Sequence, residues 1–246
     1  MSIPKIIHYC WFGGGAISPE NRKCMESWKK YCPDYKIIEW NDQNFDISTN
    51  RYAQQAYEAK RYAFVSDYVR LAVLYEYGGI YLDTDVELVR PLDELLELPG
   101  FMGFQTNNEV ATGLGFGARK GNSVVQALLR DYDALDFLKA DGSADLTPCP
   151  ERNTRVLQAL GVRKDGTRQS IAEMEIFPAE YFCPMDFYSR ELRVTPKTYS
   201  IHRYAESWKP KPSAVSRILQ RLLKKHYYTW YCPLRGRIEG RLRKRT

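Results

Sequence analysis

The chain has 246 residues, 44% hydrophobic and 27% charged, with 36 Lys and Arg against 30 Asp and Glu. That length supports one sizeable core but not two full domains, and no window is apolar for long enough to cross a bilayer as a helix. Residues 209–246 hold twelve of the basic residues and one acid, Glu239, so this segment carries +11 while residues 1–208, with 24 bases and 29 acids, carry about −5. The acidic body offers no surface on which a basic tail could be continued along a nucleic acid, so nucleic acid is excluded as a partner. The six cysteines lie far apart without CxxC spacing, and the opening Met-Ser-Ile-Pro runs straight into an apolar segment with no cationic start or cleavage site. Reduced thiols and a cytoplasmic location are expected.

In chain order, Lys5 to Trp11 (KIIHYCW) predicts a buried strand closed by Gly13-Gly14-Gly15, Pro19 to Tyr31 a helix stopped by Pro33, and Tyr35 to Trp40 a second strand. This β-loop-α-β opening predicts a parallel sheet with helices packed on it. Tyr52 to Tyr77 has helical spacing with a break near Arg61, and Gly78-Gly79 ends it ahead of the apolar run Ile80-Tyr81-Leu82. A short helix over Pro91–Leu98, strands at Phe101–Gln105 and Leu114–Ala118, and a helix over Ser123–Tyr132 follow. The Asp, Gly, Ser and Pro of Lys139–Pro150 make a loop before a helix at Glu151–Leu160, and Arg163–Ser170 reads as another loop. Glu175–Pro178 and Tyr199–Arg203 read as late strands, and Pro210 and Pro212 mark the junction with the basic tail.

The strongest local signal is Tyr81-Leu82-Asp83-Thr84-Asp85-Val86. Along an extended segment Asp83 and Asp85 project to the same side, and their repulsion calls for a cation; a hard divalent ion with oxygen ligands suits them and can bridge two phosphates. A solvated acidic turn after a buried strand is the other reading of the same triplet. Asp67 and Arg70 share a helix face three residues apart, either as a surface ion pair or, because Arg70 lies in the apolar run VRLAVL, as a buried forked donor and acceptor suited to sugar hydroxyls. His202 is either a structural histidine or an imidazole that completes the coordination of manganese, and the Ser207 hydroxyl and Trp208 indole can donate to phosphate. Trp11 ends the first strand, where α/β sheets often bind nucleotides, and is placed either to stack on a base or to fill the core.

With these pieces in place, the sequence resembles the DXD-containing sugar transferases of glycosyltransferase family 32, among them mannosyltransferases and capsular polysaccharide transferases, and more distantly the glucosyltransferase domains of large clostridial toxins. The resemblance rests on Ile3-Pro4-Lys5-Ile6-Ile7-His8-Tyr9-Cys10-Trp11-Phe12-Gly13, Ser66-Asp67-Tyr68-Val69-Arg70, Gly78-Gly79-Ile80-Tyr81-Leu82-Asp83-Thr84-Asp85, and His202 with Ser207-Trp208, in that order. It implies an α/β, Rossmann-like GT-A fold over residues 1–208. In it Trp11 and His8 meet the nucleotide, Asp67 and Arg70 hold the donor sugar, and Asp83, Asp85 and His202 bind manganese or magnesium. Ser207 and Trp208 would cover the phosphates. The stretch Leu146-Thr147-Pro148-Cys149-Pro150-Glu151 is similar to the family's Ser/Thr-Gly-Pro turn, with Cys149 where Gly is usual, and nominates Asp145 and Glu151 for donor-sugar or acceptor contacts. The implied activity is metal-dependent, configuration-retaining transfer from a nucleotide diphosphate sugar to a glycan or lipid-linked oligosaccharide, as in bacterial capsule, exopolysaccharide or O-antigen synthesis.

Two rival readings remain at this stage: a nucleotide-sugar or glycan binding protein without turnover, and a haloacid-dehalogenase-like phosphatase with Asp83 as nucleophile. In the tail, Ala214 to Lys225 places Val215, Ile218, Leu219, Leu222 and Leu223 on one helical face and cations largely opposite, followed by Tyr227, Tyr228, Trp230 and Tyr231. This basic amphipathic extension, residues 209–246, reads either as a helix packed on the body with a solvated end or, as expected here, as a peripheral contact with the inner face of the cell membrane.

Overall fold

The computed structural model describes residues 2–187 and 189–205; the tail, with Ser207 and Trp208, lies outside the described residues. Strand β1 (Ile6–Cys10) leads through the glycine turn to helix α1 (Pro19–Tyr31) and strand β2 (Lys36–Trp40). Ser18 fixes the start of α1, its hydroxyl accepting from the Asn21 amide, with Pro19 in the first turn. Helices α2 (Arg51–Glu58) and α3 (Tyr62–Tyr77) are separate: Lys60 turns into the left-handed region at φ 56°, which breaks the long helical pattern beside Arg61.

Strands β3 (Gly79–Tyr81), β4 (Val86–Leu88), β5 (Gly100–Phe104), β6 (Val110–Ala111) and β7 (Phe116–Ala118) follow, with a short 3-10 helix at Asp93–Glu97 between β4 and β5. Helices α4 (Ser123–Asp133) and α5 (Cys149–Ala159), strands β8 (Gln169–Ile171) and β9 (Met174–Phe177), helix α6 (Ala179–Phe182) and strand β10 (Ser200–His202) complete the described chain. The main sheet runs β2-β1-β3-β7-β5-β9-β8, with β6 beside β5, and a separate ribbon joins β10 to β4. The α/β, Rossmann-like class is the one adopted: β2-β1-β3 is the parallel half expected from the opening, while β7 is antiparallel to both β3 and β5 and makes the whole sheet mixed.

Alternation along the strands sends side chains to two cores, one on each face of the sheet. Tyr81 and Met102 enter the layer packed with Tyr52, Val69, Val125 and Leu157, whereas their neighbours Ile80 and Phe101 enter the layer packed with Trp28, Leu88 and Phe182. Four short elements went unseen in the sequence, a 3-10 turn at Ile47–Thr49, β4, β6 and α6, and β8 begins inside a segment expected to be loop. Each is four residues or shorter, too brief to carry a period of its own.

Candidate active site

Because β1, β2 and β3 are mutually parallel, their C-terminal ends open on one edge of the sheet, the usual ligand edge of open α/β sheets. Trp11 follows β1 there and lines a cleft of about 480 Å³ with Gly14, Gly15, Ile17, Glu39, Asn41, Asp42 and Gln43. Its indole N–H donates to the Gly15 carbonyl, so the ring is held by its own loop.

The Asp83-Thr84-Asp85 turn leaves β3 on the same edge. It is pinned from behind by α1: Asn21 Nδ2 donates to Thr84 Oγ1 at 2.9 Å, and Trp28 Nε1 to the Val86 carbonyl at 2.7 Å. Asp83 Oδ1 accepts from Tyr81 Oη at 3.0 Å and Arg70 Nη2 at 3.1 Å. A methyl group at Gly113 would collide with Asp83 Oδ2, so glycine is the residue that leaves room for this carboxylate.

Arg70 is buried and works as a fork. One nitrogen meets Asp83, and the other lies 3.1 Å from Asp67 Oδ1 and 3.4 Å from Thr112 Oγ1, with the guanidinium 4.9 Å from the centre of the Tyr81 ring. The pair is therefore not a solvated surface bridge. Burial pushes Asp67 up to about 6 despite the opposing pull of Arg70. Burial likewise raises Asp83, with Arg70 pulling it down and the neighbouring Asp85 adding to the rise.

The far end of the chain supplies the remaining face. Strand β10 pairs antiparallel with β4, placing His202 opposite Val86, and the Arg203 amide donates to the Asp85 carbonyl. His202 Nε2 then lies 3.2 Å from Asp85 Oδ1, while the Ala205 amide donates to Asp85 Oδ2 at 2.8 Å. Burial works against ionisation of both groups, but their mutual charge and hydrogen bond win, lowering Asp85 and raising His202.

Asp83, Asp85 and His202 each offer one ligand atom, all within 4.8 Å of one another. Two carboxylate oxygens and one imidazole nitrogen at this spacing fit a divalent cation with oxygen and nitrogen preference. His202 Nδ1 is buried with no hydrogen-bond partner among the described residues.

Residues 18–101 match the family model for a glycosyltransferase sugar-binding region containing a DXD motif. Over that segment the chain is similar to the DXD-containing sugar transferases. Among its relatives are inositol phosphoceramide mannosyltransferase 3 of Schizosaccharomyces pombe, 30% identical over 151 residues covering 55% of this chain and 39% of that protein. The human alpha-1,4-N-acetylglucosaminyltransferase is 28% identical over 148 residues, covering 60% of this chain and 38% of its own. The chain thus spans about two fifths of the length of these relatives. A solved structure described as PaToxG Glycosyltransferase has a TM-score of 0.48 and 21% identity, covering 64% of this chain and 70% of that one.

Two of the residues nominated from the resemblance, His8 and Asp145, have their polar atoms engaged within the protein. His8 is fully buried: its Nε2 meets the Gly78 carbonyl at 2.9 Å and its Nδ1 accepts from Trp40 Nε1 at 3.0 Å. With both nitrogens used and burial lowering it to about 4, His8 is a neutral strut between β1, β2 and the end of α3 rather than a nucleotide contact. Asp145 is also occupied, one oxygen accepting from the Thr147 amide and hydroxyl and the other from Arg152 Nη2 at 2.9 Å, so it shapes the turn into α5. Glu151 is exposed in the first turn of α5, with no side-chain hydrogen bond or ion pair among the described residues.

Sequence reasoning overlooked Tyr81, Thr112 and Gly113. Tyr81 had a usable signal, since it stands two residues before Asp83 on the same side of the extended segment. Nothing local marks Thr112 or Gly113, which meet Arg70 and Asp83 only through the sheet.

Proposed function

We propose that this chain is a metal-dependent, configuration-retaining glycosyltransferase that moves a hexose from a nucleotide diphosphate donor to a saccharide acceptor, lipid-linked, in bacterial surface polysaccharide synthesis. The observation that carries the reading is the convergence of Asp83, Asp85 and His202 within 4.8 Å on the sheet edge shared with the Trp11 cleft. Trp11 would stack on the base, with Glu39, Asn41 and Asp42 offering acceptors and donors to its polar edge and ribose. Asp67 and Arg70 would bind sugar hydroxyls, and Asp83, Asp85 and His202 would hold manganese or magnesium. Bound there, the ion supplies charge neutralisation to the departing diphosphate.

In this scheme the bond from the anomeric carbon to the phosphate oxygen breaks as the acceptor oxygen bonds to the same face, and the acceptor proton passes to the leaving phosphate. Positioning by Arg70 and Asp67 and a preorganised field do most of the work. The names of the relatives, which specify mannosyl and N-acetylglucosaminyl transfer and in one case an inositol phosphoceramide, favour hexopyranose donors and a lipid-bearing acceptor.

The test is a screen of nucleotide sugars for hydrolysis and transfer by the full chain with manganese, magnesium or EDTA. Metal-restored release of the nucleotide, with an α-linked product from an α-linked donor, is expected; full turnover in EDTA rules the metal out. The proposed site of work is the cytoplasmic face of the membrane, with the cationic, aromatic-rich 209–246 segment as the contact. Removing residues 213–246 should release the protein from anionic vesicles while leaving donor hydrolysis intact, and unchanged vesicle binding would refute that contact.

A further inference from the structure

A metal-binding histidine ordinarily has its ring plane set by a hydrogen bond from its second nitrogen to a carboxylate, carbonyl or water. His202 has no such partner among the described residues, since Nδ1 is buried and unpaired. What touches the imidazole instead is Tyr204, whose ring meets it edge-on with centroids 4.2 Å apart and planes at 66°.

Tyr204 is itself held from several sides. Its hydroxyl is 2.9 Å from the buried Cys183 sulfur, Phe187 packs edge-on at 5.0 Å, and the Arg190 guanidinium lies 5.3 Å from the ring centre. Its backbone is at φ 52°, in the left-handed region that bulky side chains avoid. That turn brings the next amide, Ala205 N–H, onto Asp85 Oδ2, leaving Asp85 Oδ1 facing His202. One residue therefore orients two of the three candidate ligands, the imidazole by ring contact and the carboxylate by the backbone bend.

We infer that Tyr204 is a positioning residue for the divalent-ion site, setting the ring plane of His202, whose Nδ1 has no hydrogen-bond partner among the described residues. The inference rests on the metal-dependent reading above and adds to it a group that touches neither ion nor substrate. In the full chain, manganese bound without nucleotide is measured by electron paramagnetic resonance for the wild type, Tyr204→Phe, Tyr204→Leu, Tyr204→Gly and Asp85→Asn. Phenylalanine keeps the ring edge and should bind within about twofold of wild type, whereas leucine and glycine should lose about 10-fold or more, the range typical of outer partners of a metal ligand.

Glycine relieves the strain at φ 52° and so keeps the test available if the leucine variant does not fold, with circular dichroism reporting the folded state. Wild-type affinity in the folded leucine or glycine variant, with Asp85→Asn deficient, overturns the role of Tyr204 and leaves the metal reading standing. Equal binding by Asp85→Asn and wild type, or none by wild type, overturns both. A loss in Tyr204→Phe as large as in Tyr204→Leu also overturns it, since the hydroxyl and not the ring contact would then be at work.

Discussion

Asp83 and Asp85 stand two residues apart and belong to two differently balanced regions. On the α3 side, Asp83 meets a cation that the chain itself supplies: Arg70, buried between Asp67 and Asp83 and lying over Tyr81. On the ribbon side, Asp85 meets an imidazole and a backbone amide, with no Lys or Arg ion pair to it among the described residues. The first region is closed in charge and the second is arranged for an incoming ion. Burial raises both carboxylates: at Asp83 it outweighs the pull of Arg70, so Asp83 is shifted up, whereas at Asp85 the charge and hydrogen bond of His202 outweigh it, so Asp85 is shifted down.

The difference can be broken from either side. Asp85→Asn should have the largest effect, lowering metal-dependent transfer by more than about 100-fold, beyond what loss of an outer partner costs; steady-state rates against manganese concentration check it. Gly113→Ala forces Asp83 to move without altering any charge. Because misplacement of about an ångström costs up to about 100-fold in rate, a fall of about 10- to 100-fold with a modest change in melting temperature is expected.

Arg70→Met attacks the closed region and should appear first in stability, by about 3 kcal/mol in urea unfolding, since it leaves Asp67 and Asp83 buried without a counter-charge. Asp67 sets the smallest effect, a dependence on pH. Its folded value of about 6 lies above the ordinary 3.8, so between these the folded chain binds more protons than the unfolded one. Protonation of Asp67 thus favours the folded state fully below pH 3.8, and that gain is lost as pH rises through 6. In metal-free protein, Asp67→Asn should flatten this part of the stability profile, measured as urea midpoints from pH 4 to 7; an unchanged slope would place the titration elsewhere.

How much of this could be read from the sequence depends on how local each feature is. Helix α1 was legible to the residue because Pro19 and the downstream Pro33 bracket its helical spacing, and Asp83 with Asp85 because strand alternation places them together. His8 misled because a histidine inside KIIHYCW looks the same whether it reaches a ligand or, as here, ties Gly78 to Trp40. Asp145 misled similarly, since its use in a turn depends on Arg152, seven residues later in the next helix. The β4–β10 pairing joins residues more than 100 positions apart through two three-residue strands, so the sequence could nominate His202 by its chemistry and the family resemblance but could not derive its place beside Asp85 or reveal Tyr204.

The attachment of Ala205 to Asp85 sets a boundary for any shortened form of the protein. Ending the chain before residue 200 would remove β10 together with the imidazole, and ending it at residue 204 would still delete the amide that orients the carboxylate. A trimmed version must therefore retain residue 205 to keep the arrangement of Asp85 and His202, and a fragment defined by the main sheet alone would leave that centre unfinished.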